Sequence, residues 1–461
     1  MTDAILTVEQ MRAAEQAAMA AGTDGWELMQ RAGRGAAEWV ARIAAGRPVS
    51  VLCGPGNNGG DGYVIAETLR RRGLGVEVIA PLAPKTETAQ IARDHYAGDV
   101  ASDAMHRHAI TVDCLFGYGL TRAVEGQFAD LLEYIAASDC YKIAIDVPSA
   151  VESDSGAVLG PLPHYDLTLA LGAWKLAHGL MPAMAAMGAR RLVPIGIDIP
   201  DTGMQFASPP QLRAPSPDAH KYRRGLLAVV AGAMPGAPLL SAEAAMRSGA
   251  GYVKLLSEHA HPDASAELVI EQGDFARAID DERISAFLVG PGLGRDEQAC
   301  ERLAAVLERG RPTILDADAL HLIDRALLAK ANPAKLCVTP HEGELAKLCE
   351  SFGVAADCKL DRSRGLHDVT GVTVLAKGPD TILVGDGMTS FFERGSSWLS
   401  VAGTGDVLAG IAASRLALHG SPARAANEAV WLHHEAARRA GPAFTAGELA
   451  HAVAPAMEEF L

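Results

Sequence analysis

The chain has 461 residues, of which 49% are hydrophobic and 21% are charged, and its formal net charge is −15. This length is too great for one compact core and predicts two globular domains of about 200 residues each. The acidic charge excludes a general nucleic-acid or anionic-membrane binder, because both classes of protein use clustered Lys and Arg.

The seven cysteines contain no CxxC pair, and their odd number excludes a framework that pairs them all. Cys53, Cys114 and Cys337 lie in apolar runs, where a free thiol behaves as a small hydrophobe. This usage is typical of a reducing compartment. Residues 1–4 do not resemble the start of a secretory signal, and no apolar run reaches the ~20 residues of a membrane helix. We therefore expect a cytoplasmic protein without membrane contact.

Residues 7–46 are predicted to be helical. Thr7 can cap the first helix, with Glu9 and Gln10 in its first turn. Apolar residues then recur at helical spacing from Trp26 to Ile43. This pattern indicates a stripe that faces the core rather than a cofactor site.

The stretch Gly54–Gly62 (GPGNNGGDG) lies between the apolar run Val49–Cys53 and a helical pattern over Tyr63–Arg72. A strand, a glycine-rich turn and a helix in this order place free backbone N–H groups at a helix N-terminus, which favours a phosphate. Five glycines also allow positive φ angles and close approach of a ligand. The alternative is a plain structural turn, but such turns seldom need five glycines with two Asn and an Asp.

Short apolar runs alternate with helical stretches from Val49 onward, as in strands covered on both faces. This alternation predicts an α/β fold with an open, mostly parallel sheet of Rossmann type in three layers. The predicted strands are Val49–Cys53, Val76–Ala80, Ile110–Phe116, Lys142–Val147, Tyr165–Leu171 and Arg191–Ile195.

Ligands of such sheets bind beyond the carboxyl ends of the strands. The glycine stretch, Asp113 and Asp146 all fall at these ends. Each aspartate taken alone could equally cap a turn or a helix, but their shared location predicts one convergent site.

Four prolines fall within residues 209–219, and proline favours an extended spacer. We predict a first domain over 1–208, a Pro-rich linker over 209–219 and a second domain over 220–461. The second half is again α/β but does not repeat the motifs of the first. Its predicted strands are Gly225–Ala233, Gly251–Leu256, Ala286–Val289, Pro312–Leu315, Leu336–Thr339, Val372–Ala376 and Thr381–Val384. In the final helices, we interpret His433-His434-Glu435 as surface, because adjacent helical side chains point apart.

The segment Gly403-Thr404-Gly405-Asp406 opens a long predicted helix. Its backbone N–H groups favour an anion, and Asp406 is placed to take a proton from a hydroxyl that attacks phosphorus. Four further motifs follow predicted strands and can line the same cleft: Lys377-Gly378, Pro340–Glu344, Asp316–Ala319 and Gly290–Gly292. Within them, Asp318 could instead cap the next helix, and Glu342 and Glu344 could be solvated carboxylates at a helix start.

These motifs resemble those of the bifunctional NAD(P)H-hydrate repair enzymes over nearly the whole chain. The first half is similar to the epimerase domain of that family, and the second half to its dehydratase domain, which has a ribokinase-like fold. The family restores nicotinamide cofactor whose reduced ring has been hydrated: it interconverts the R and S hydrates and dehydrates the S form. Bacterial members of this two-domain type consume ADP, giving AMP and phosphate, and animal members use ATP. For a bacterial chain the resemblance implies ADP.

The resemblance also implies the residues of the epimerase. Asp146 would face the reacting carbon as the acid–base group. A potassium ion would be held by Asn58, Asp113 and Ser149, whose oxygen ligands suit an alkali cation. The hydrated NADH or NADPH would contact Asn57, Asn58, Gly59, Gly60, Asp61, Gly117, Tyr118, Gly119, Leu120, Thr121, Arg122, Ala123 and Asp146.

For the dehydratase, our hypothesis is that Asp406 is the base, that Lys377 and the loop amides stabilise charge on the phosphoryl oxygens, and that Mg²⁺ bridges those oxygens. The remaining contacts are implied by the resemblance. The hydrate would contact Ala237, Gly292, His341 and Asp406. The adenine nucleotide would be held by Lys377, Gly378, Pro379, Asp380, Thr381 and Gly405. We also expect a homo-oligomer.

Three positions depart from the family pattern. Ala150 stands where the family has Gly, and it would be strained if its φ angle were positive. Glu342 replaces a proline, and residues 397–402 replace a Pro- and Gly-containing run before the nucleotide loop. Two rival interpretations are a ribokinase-like kinase of a small molecule, which would release a phosphorylated product, and a non-catalytic binding module.

Overall fold

The computed structural model describes residues 3–102, 108–259 and 261–461, so Met1 and Thr2 of the N-terminal stretch lie outside the described residues. The chain divides into two compact units, Met1–Phe206 and Ala207–Leu461. Residues 209–219 form no regular helix or strand. Within this segment Leu212 is buried, and its N–H donates to the carbonyl of Phe460.

The first unit places helices on a parallel sheet. Its helices are α1 (Val8–Ala20), α2 (Gly25–Ala44), α3 (Asn57–Arg71), α4 (Glu87–His95) and α5 (Gln127–Ala136). Its strands are β1 (Ile5–Leu6), β2 (Val49–Cys53), β3 (Val76–Ile79), β4 (Val100–Ala101), β5 (Ile110–Cys114), β6 (Tyr141–Ile145), β7 (Leu167–Leu171), β8 (Trp174–Lys175), β9 (Ala189–Val193) and β10 (Met204–Phe206). Short 3₁₀ turns span Leu176–His178 and Ala183–Ala186.

Seven strands form this sheet in the order β4-β3-β2-β5-β6-β7-β9, and all of them are parallel. The predicted Rossmann-like sheet is therefore confirmed. Cys53 and Cys114 are register partners at the carboxyl ends of β2 and β5. The polar residues that follow these strands consequently emerge side by side at one edge.

The first helix begins as its sequence predicts. Thr7 accepts a hydrogen bond from the N–H of Gln10, and the Gln10 side chain accepts one from the N–H of Thr7. This reciprocal capping satisfies two N–H groups that the helix leaves unpaired. It fixes α1, which supplies one wall of the cavity described below.

The second unit is built on a mixed sheet. Its helices are α6 (Gly236–Met246), α7 (Phe275–Ile279), α8 (Glu297–Glu308), α9 (Asp318–Leu322), α10 (Arg325–Leu328), α11 (Glu342–Phe352), α12 (Lys359–Thr370), α13 (Thr404–His419), α14 (Pro422–Ala440) and α15 (Ala446–Ala456). Its strands are β11 (Leu226–Val230), β12 (Tyr252–Leu256), β13 (Val269–Glu271), β14 (Ile284–Val289), β15 (Thr313–Leu315), β16 (Leu336–Val338), β17 (Thr373–Ala376), β18 (Ile382–Gly385) and β19 (Met388–Phe391). Short 3₁₀ turns span Lys221–Arg224, Pro333–Lys335, Ser397–Leu399 and Met457–Phe460.

These nine strands lie in the order β19-β18-β17-β16-β15-β14-β11-β12-β13, parallel except for the β17–β18 and β18–β19 pairs. The helix α13, which begins in the predicted nucleotide loop, is buried over most of its length. It packs so closely on α6 that a Cβ at Gly410 would lie 2.1 Å from the carbonyl oxygen of Ser241. In the part of the chain that the structure describes, no helix is long and apolar enough to cross a membrane.

The interpretation of His433 as a surface residue is wrong. His433 is buried, and its Nε2 lies 3.0 Å from the carbonyl oxygen of Thr404 in the first turn of α13. Burial lowers the pKa of His433 to about 3. The neutral imidazole therefore braces the start of α13 and carries no charge near neutral pH.

Candidate active sites

The glycine stretch of the first unit is the beginning of a helix rather than an open loop. Helix α3 starts at Asn57, and its N-terminus faces the carboxyl end of β2. The positive φ angles that glycine allows are not used here, because none of the glycines at 54, 56, 59, 60 and 62 has one. Most of these glycines instead allow neighbouring backbone and side-chain atoms to pack closely against the main chain.

Two of the glycines allow backbone to touch backbone. A Cβ at Gly54 would lie 1.7 Å from the carbonyl oxygen of Leu115, and one at Gly59 would lie 1.8 Å from the carbonyl oxygen of Gly54. A Cβ at Gly62 would lie 2.7 Å from the Cys53 sulfur. The helix therefore sits directly on β2 and β5, and its free N–H groups point to the edge where ligands of such sheets bind.

A cavity of about 680 Å³ opens at this edge. Its walls come from α1, α2, the start of α3 and the loop that follows β5. Ten of the predicted residues line it: Asn57, Asn58, Asp61, Gly117, Tyr118, Gly119, Leu120, Thr121, Arg122 and Asp146. Gly59, Gly60 and Ala123 are not among its lining residues, since the two glycines pack against Gly54 and Met29 and Ala123 is exposed.

Asp146 holds the central polar contact of this cavity. Its φ angle is 68°, an uncommon value for a residue other than glycine. Oδ1 lies 2.5 Å from Nζ of Lys175, and Oδ2 accepts the backbone N–H of Tyr118 at 2.9 Å. Lys175 is fully buried and also donates to the carbonyl of Leu171 at 2.6 Å.

Lys175 was not predicted as a site residue from the sequence, because it lies in no recognised motif. It is held by the pairing of β8 with β1, in which Lys175 is the register partner of Leu6. The signal that could have found it is a lone lysine in an apolar stretch (LGAWKLAH), since a lysine is rarely fully buried without a partner. His178 completes the surroundings, with Nε2 2.8 Å from the carbonyl oxygen of Asp146.

Two further carboxyl groups face the same cavity. Burial raises the pKa of Asp61 well above its ordinary value, and the charges of Asp146 and Glu15 add to this effect. Burial likewise raises the pKa of Glu15, which accepts the Tyr118 hydroxyl at 2.7 Å. The Lys175 ammonium lies 5.4 Å from the centre of the Tyr118 ring. Burial and the nearby carboxylates thus favour the protonated forms of Asp61 and Glu15 more than water does.

Of the three residues predicted to hold potassium, Asn58 lines this cavity, and the buried Asp113 and Ser149 bond to the backbone of Leu115 and Phe116 in its wall. The carboxylate of Asp113 accepts the hydroxyl of Ser149 at 2.6 Å and that of Tyr165 at 2.5 Å. Asn58 donates to the carbonyl of Ile145, but its buried Oδ1 has no hydrogen-bond partner among the described residues. An orphaned oxygen of this kind is costly unless a cation or donor occupies the space beside it. The oxygens present therefore fit a hard monovalent cation.

The departure at Ala150 causes no backbone strain. Its φ angle is not positive, and the residue is fully buried, with its carbonyl accepting the N–H of Leu159. The positive angle of this segment belongs instead to Asp146.

In the second unit, Gly403 to Asp406 form the N-terminus of α13, as expected. Asp406 is half-buried, and its pKa is raised to about 6 by burial, then by the charge of Asp316, while Lys377 acts in the opposite direction. The Lys377 ammonium lies 2.6 Å from Oδ1 of Asp316 and 3.7 Å from the point where a Cβ at Gly405 would lie. An ammonium, a carboxylate with a raised pKa and free helix N–H groups thus meet at one place.

The two predicted hydrate-contacting loops lie together. The N–H of Met234 donates to the carbonyl of Gly292 at 3.0 Å, and Ala237 lies in the first turn of α6. Asp318 does not cap its helix: it accepts the N–H of Gly294 and pairs with Arg295 at 2.7 Å. It therefore fixes the glycine loop that follows β14.

His341 is the N-cap of α11. Its Nδ1 accepts the N–H groups of Gly343 and Glu344, and the Glu344 carboxylate accepts the N–H of His341 at 2.8 Å. The interpretation of Glu344 as a solvated carboxylate is wrong, because it is buried in this capping pair. Glu342, the residue that replaces a proline, is exposed and pairs with Arg362 at 2.7 Å.

The predicted nucleotide segment from Lys377 to Thr381 is braced by Lys359. This lysine donates to the carbonyl oxygens of Lys377 and Asp380 and to the carboxylate of Asp380. Thr381 donates to the carbonyl of Gly378. The segment is thus held as a rigid turn beside α13. Over the described residues, no cluster of three or more His, Cys, Asp or Glu side chains could hold a metal ion.

Comparison with known families matches both units. The profile of the NAD(P)H-hydrate dehydratase family matches residues 227–458, and that of the YjeF-related protein N-terminus matches residues 25–177.

Two similar proteins span both units. The chain is 32% identical over 481 residues to the bifunctional NAD(P)H-hydrate repair enzyme Nnr of Thermanaerovibrio acidaminovorans, covering 94% of this chain and 93% of that protein. It is 32% identical over 428 residues to the enzyme of the same name from Mycobacterium tuberculosis, covering 89% and 88%. A solved structure, the ADP/ATP-dependent NAD(P)H-hydrate dehydratase of Bacillus subtilis co-crystallized with ATP/Mg²⁺, matches 54% of this chain and 95% of its own, with 26% identity and a TM-score of 0.45.

Proposed function

The chain belongs to the family of the bifunctional NAD(P)H-hydrate repair enzymes, and from this premise we propose which of its residues carry each reaction. It combines an NAD(P)H-hydrate epimerase with an NAD(P)H-hydrate dehydratase of ribokinase-like fold. The substrates are hydrated NADH or NADPH and an adenine nucleotide. The buried pair of Asp146 and Lys175 at the 680 Å³ cavity is the observation that carries the epimerase assignment.

The epimerase site lies in that cavity, whose volume is within the range of about 300–1,000 Å³ that is usual for ligand pockets. Inversion at the carbon that bears the ring hydroxyl requires one bond at that carbon to break and to re-form on the other face. Asp146 accepts the hydroxyl proton as the bond from that carbon to the ring nitrogen breaks; the electron pair passes to the nitrogen, which takes up a proton, and the resulting aldehyde recloses on its other face with both protons returned. Lys175 orients the Asp146 carboxylate, 2.5 Å away. The N-terminus of α3 and the segment 117–122 hold the dinucleotide.

Potassium is proposed at Asn58, Asp113 and Ser149, and the partnerless Oδ1 of Asn58 supports it. When bound, the ion supplies a fixed positive charge at the base of the cavity. Ser149 joins the two loops in any case, because it accepts the N–H of Phe116 and donates to Asp113. These contacts keep the loop before Gly117 in register with the turn after Asp146.

The dehydratase site lies at the N-terminus of α13, and ADP is the proposed co-substrate. Asp406 takes the proton of the S hydrate's hydroxyl as that oxygen attacks the terminal phosphorus of ADP, and AMP leaves. Loss of phosphate and of the neighbouring ring proton then restores the double bond of the reduced cofactor. Lys377 and the N–H groups at Gly405 stabilise the charge of the transferred group.

Mg²⁺ is proposed to arrive on the phosphate oxygens of the nucleotide. The described residues contain no dedicated cluster of metal ligands, and this fits the usual binding of Mg²⁺ through substrate phosphates. When bound, the ion neutralises charge on those oxygens.

The test supplies the purified chain with R hydrate and ADP and follows the absorbance of the reduced cofactor. Complete recovery, with release of AMP and free phosphate, is expected. An Asp146→Ala variant should convert the R hydrate only at the spontaneous rate but process the S hydrate normally. R hydrate recovered by this variant at the wild-type rate, after subtraction of the spontaneous reaction, would contradict the epimerase assignment.

A further inference from the structure

Asp316 is a buried carboxylate of the second unit's site that two side chains hold by hydrogen bonds. It is 2% exposed, and its Oδ1 lies 2.6 Å from Nζ of Lys377 and 2.6 Å from Oγ1 of Thr339. Its backbone is fixed as well. Its N–H donates to Val289, and its carbonyl oxygen would lie 1.7 Å from a Cβ at Gly290. Asp316 therefore has a fixed position, and its hydrogen bond fixes the position of the Lys377 ammonium.

Lys377 is held at both ends by this arrangement. Its backbone N–H donates to the carbonyl of Pro340, and its carbonyl accepts the ammonium of Lys359. A free lysine side chain has a flexible four-carbon stem that samples many positions. Here the bond to Asp316 leaves the ammonium 3.7 Å from where a Cβ at Gly405 would lie, at the N-terminus that is proposed to receive the phosphoryl group.

We propose that Asp316 is a positioning residue of the dehydratase: it holds the Lys377 ammonium toward the transferred phosphoryl group and keeps it from closing on the base, Asp406. The inference rests on the proposed roles of Lys377 and Asp406. Two carboxylates compete for one ammonium at this site. By binding it, Asp316 leaves Asp406 free to accept the substrate's proton.

The charges that face Asp406 support this division of roles. Asp316 raises the pKa of Asp406, and Lys377 lowers it. From α14, His433 faces the same turn of α13, but burial lowers its pKa to about 3, so it is neutral. Removal of the Asp316 charge should therefore lower the pKa of Asp406, and removal of the Lys377 charge should raise it.

The experiment compares Asp316→Asn, Asp316→Glu and Thr339→Val in the full chain, with the S hydrate and ADP as substrates. For Asp316→Asn we expect kcat to fall about 100-fold, the loss typical of a misplaced catalytic group, with little change in ADP affinity. In the pH profile of kcat/KM, the acid limb of this variant should move to lower pH, because removal of the Asp316 charge lowers the pKa of Asp406. Asp316→Glu keeps the charge, so its limb should stay near the wild-type position while kcat falls.

Thr339→Val is the matched control, because it removes the other hydrogen bond to Oδ1 but leaves the charge. A loss of about two- to tenfold, the worth of one hydrogen bond, is expected, with the acid limb unmoved. Epimerase activity in the same samples should equal that of the wild type, because the substitutions lie outside the first unit.

An Asp316→Asn variant with wild-type kcat, or one that loses activity with an unmoved acid limb, would overturn the inference. If that variant does not fold, wild-type kcat in Asp316→Glu would overturn it instead. Dehydration that persists in Lys377→Met and Asp406→Asn would show that the proposed site itself is wrong. Loss in those two variants with Asp316→Asn unaffected would reject only the role of Asp316.

Discussion

The ammonium of Lys175 lies 2.5 Å from Oδ1 of Asp146, and both side chains are buried although 29 residues separate them in the chain. A buried ion pair adds little stability over apolar residues of the same size, because its desolvation offsets its Coulomb attraction. Asp146 in addition holds a φ angle of 68°, which is uncommon for this residue type. Both features support the role in epimerisation that we propose for the pair.

We predict that Lys175→Met abolishes epimerisation and destabilises the first unit. The change leaves a buried carboxylate without its cation, which costs about 3–5 kcal/mol. Asp146→Asn should also lose epimerase activity and destabilise the first unit, because it leaves the buried Lys175 ammonium without its anion, although asparagine tolerates the positive φ angle. Epimerisation of the R hydrate and urea unfolding measure the two effects, and dehydration of the S hydrate is the control. Normal epimerisation by either variant would contradict the assignment.

Gly59→Ala should destabilise the first unit by about 1–3 kcal/mol or more. Its Cβ would lie 1.8 Å from the carbonyl oxygen of Gly54, and backbone cannot move aside as a side chain can. Gly56→Ala is the matched control, since nothing lies within 4 Å of its Cβ and its φ angle is −99°. Urea unfolding should separate the two variants clearly. Equal stabilities would show that close packing is not what requires Gly59.

Much of the fold follows from the sequence because its signals are local. The run Val49–Cys53 is apolar throughout and forms β2 with the bounds expected. The short strand Met388–Phe391 was not predicted, although the Asp386-Gly387 pair before it has positive φ angles at both positions. An Asp-Gly pair between two strands is a strong hairpin signal, and this pair is the feature of the sequence that indicates the strand.

The sites were harder to predict where a contact joins distant segments. The bonds of Lys175 to Asp146 and of Lys377 to Asp316 depend on strand order and register, which no local pattern of residues encodes. The glycines of the first site were found, but conformation and packing both favour glycine, and none of these residues uses the positive φ angle that glycine allows. Only the positions of Leu115 and Cys53 show that packing is the reason.

Potassium should raise the unfolding temperature of the chain, and Asn58→Ala should remove this effect. The ion would satisfy the buried Oδ1 of Asn58, for which no described residue supplies a partner, and a ligand that binds only the folded state stabilises it. Thermal unfolding in potassium chloride and in choline chloride at equal ionic strength measures the difference. Asn57→Ala, which changes an exposed neighbour, is the control and should keep the potassium effect. An equal shift in both salts would contradict the site.

Glu342→Pro should leave the stability of the second unit within about 1 kcal/mol of the wild-type value. Position 342 is the first residue of α11, where proline is well tolerated because its N–H is not needed. The preceding His341 is extended, with ψ at 172°, as a residue before proline must be. Only the exposed ion pair to Arg362 is lost, and such pairs contribute about 0–1 kcal/mol. Urea unfolding measures the stability of Glu342→Pro, with Glu342→Ala as the control for loss of the ion pair. A large loss of stability in the proline variant alone would contradict the expected backbone geometry.

Asp61→Asn should stabilise the first unit at neutral pH and change little near pH 4. Burial raises the pKa of Asp61 in the folded state, so the folded chain binds this proton more tightly than the unfolded chain does. Stability must then fall as the pH rises from the unfolded pKa, near 4, to the folded pKa, by about 1.4 kcal/mol per pH unit. Asparagine does not ionise, so the variant does not lose this stability as the pH rises. Urea unfolding of both chains at pH 4.5 and pH 7.5 tests this, since the gain of the variant must grow with pH. A constant difference between the two chains would mean that Asp61 is ionised in the folded protein.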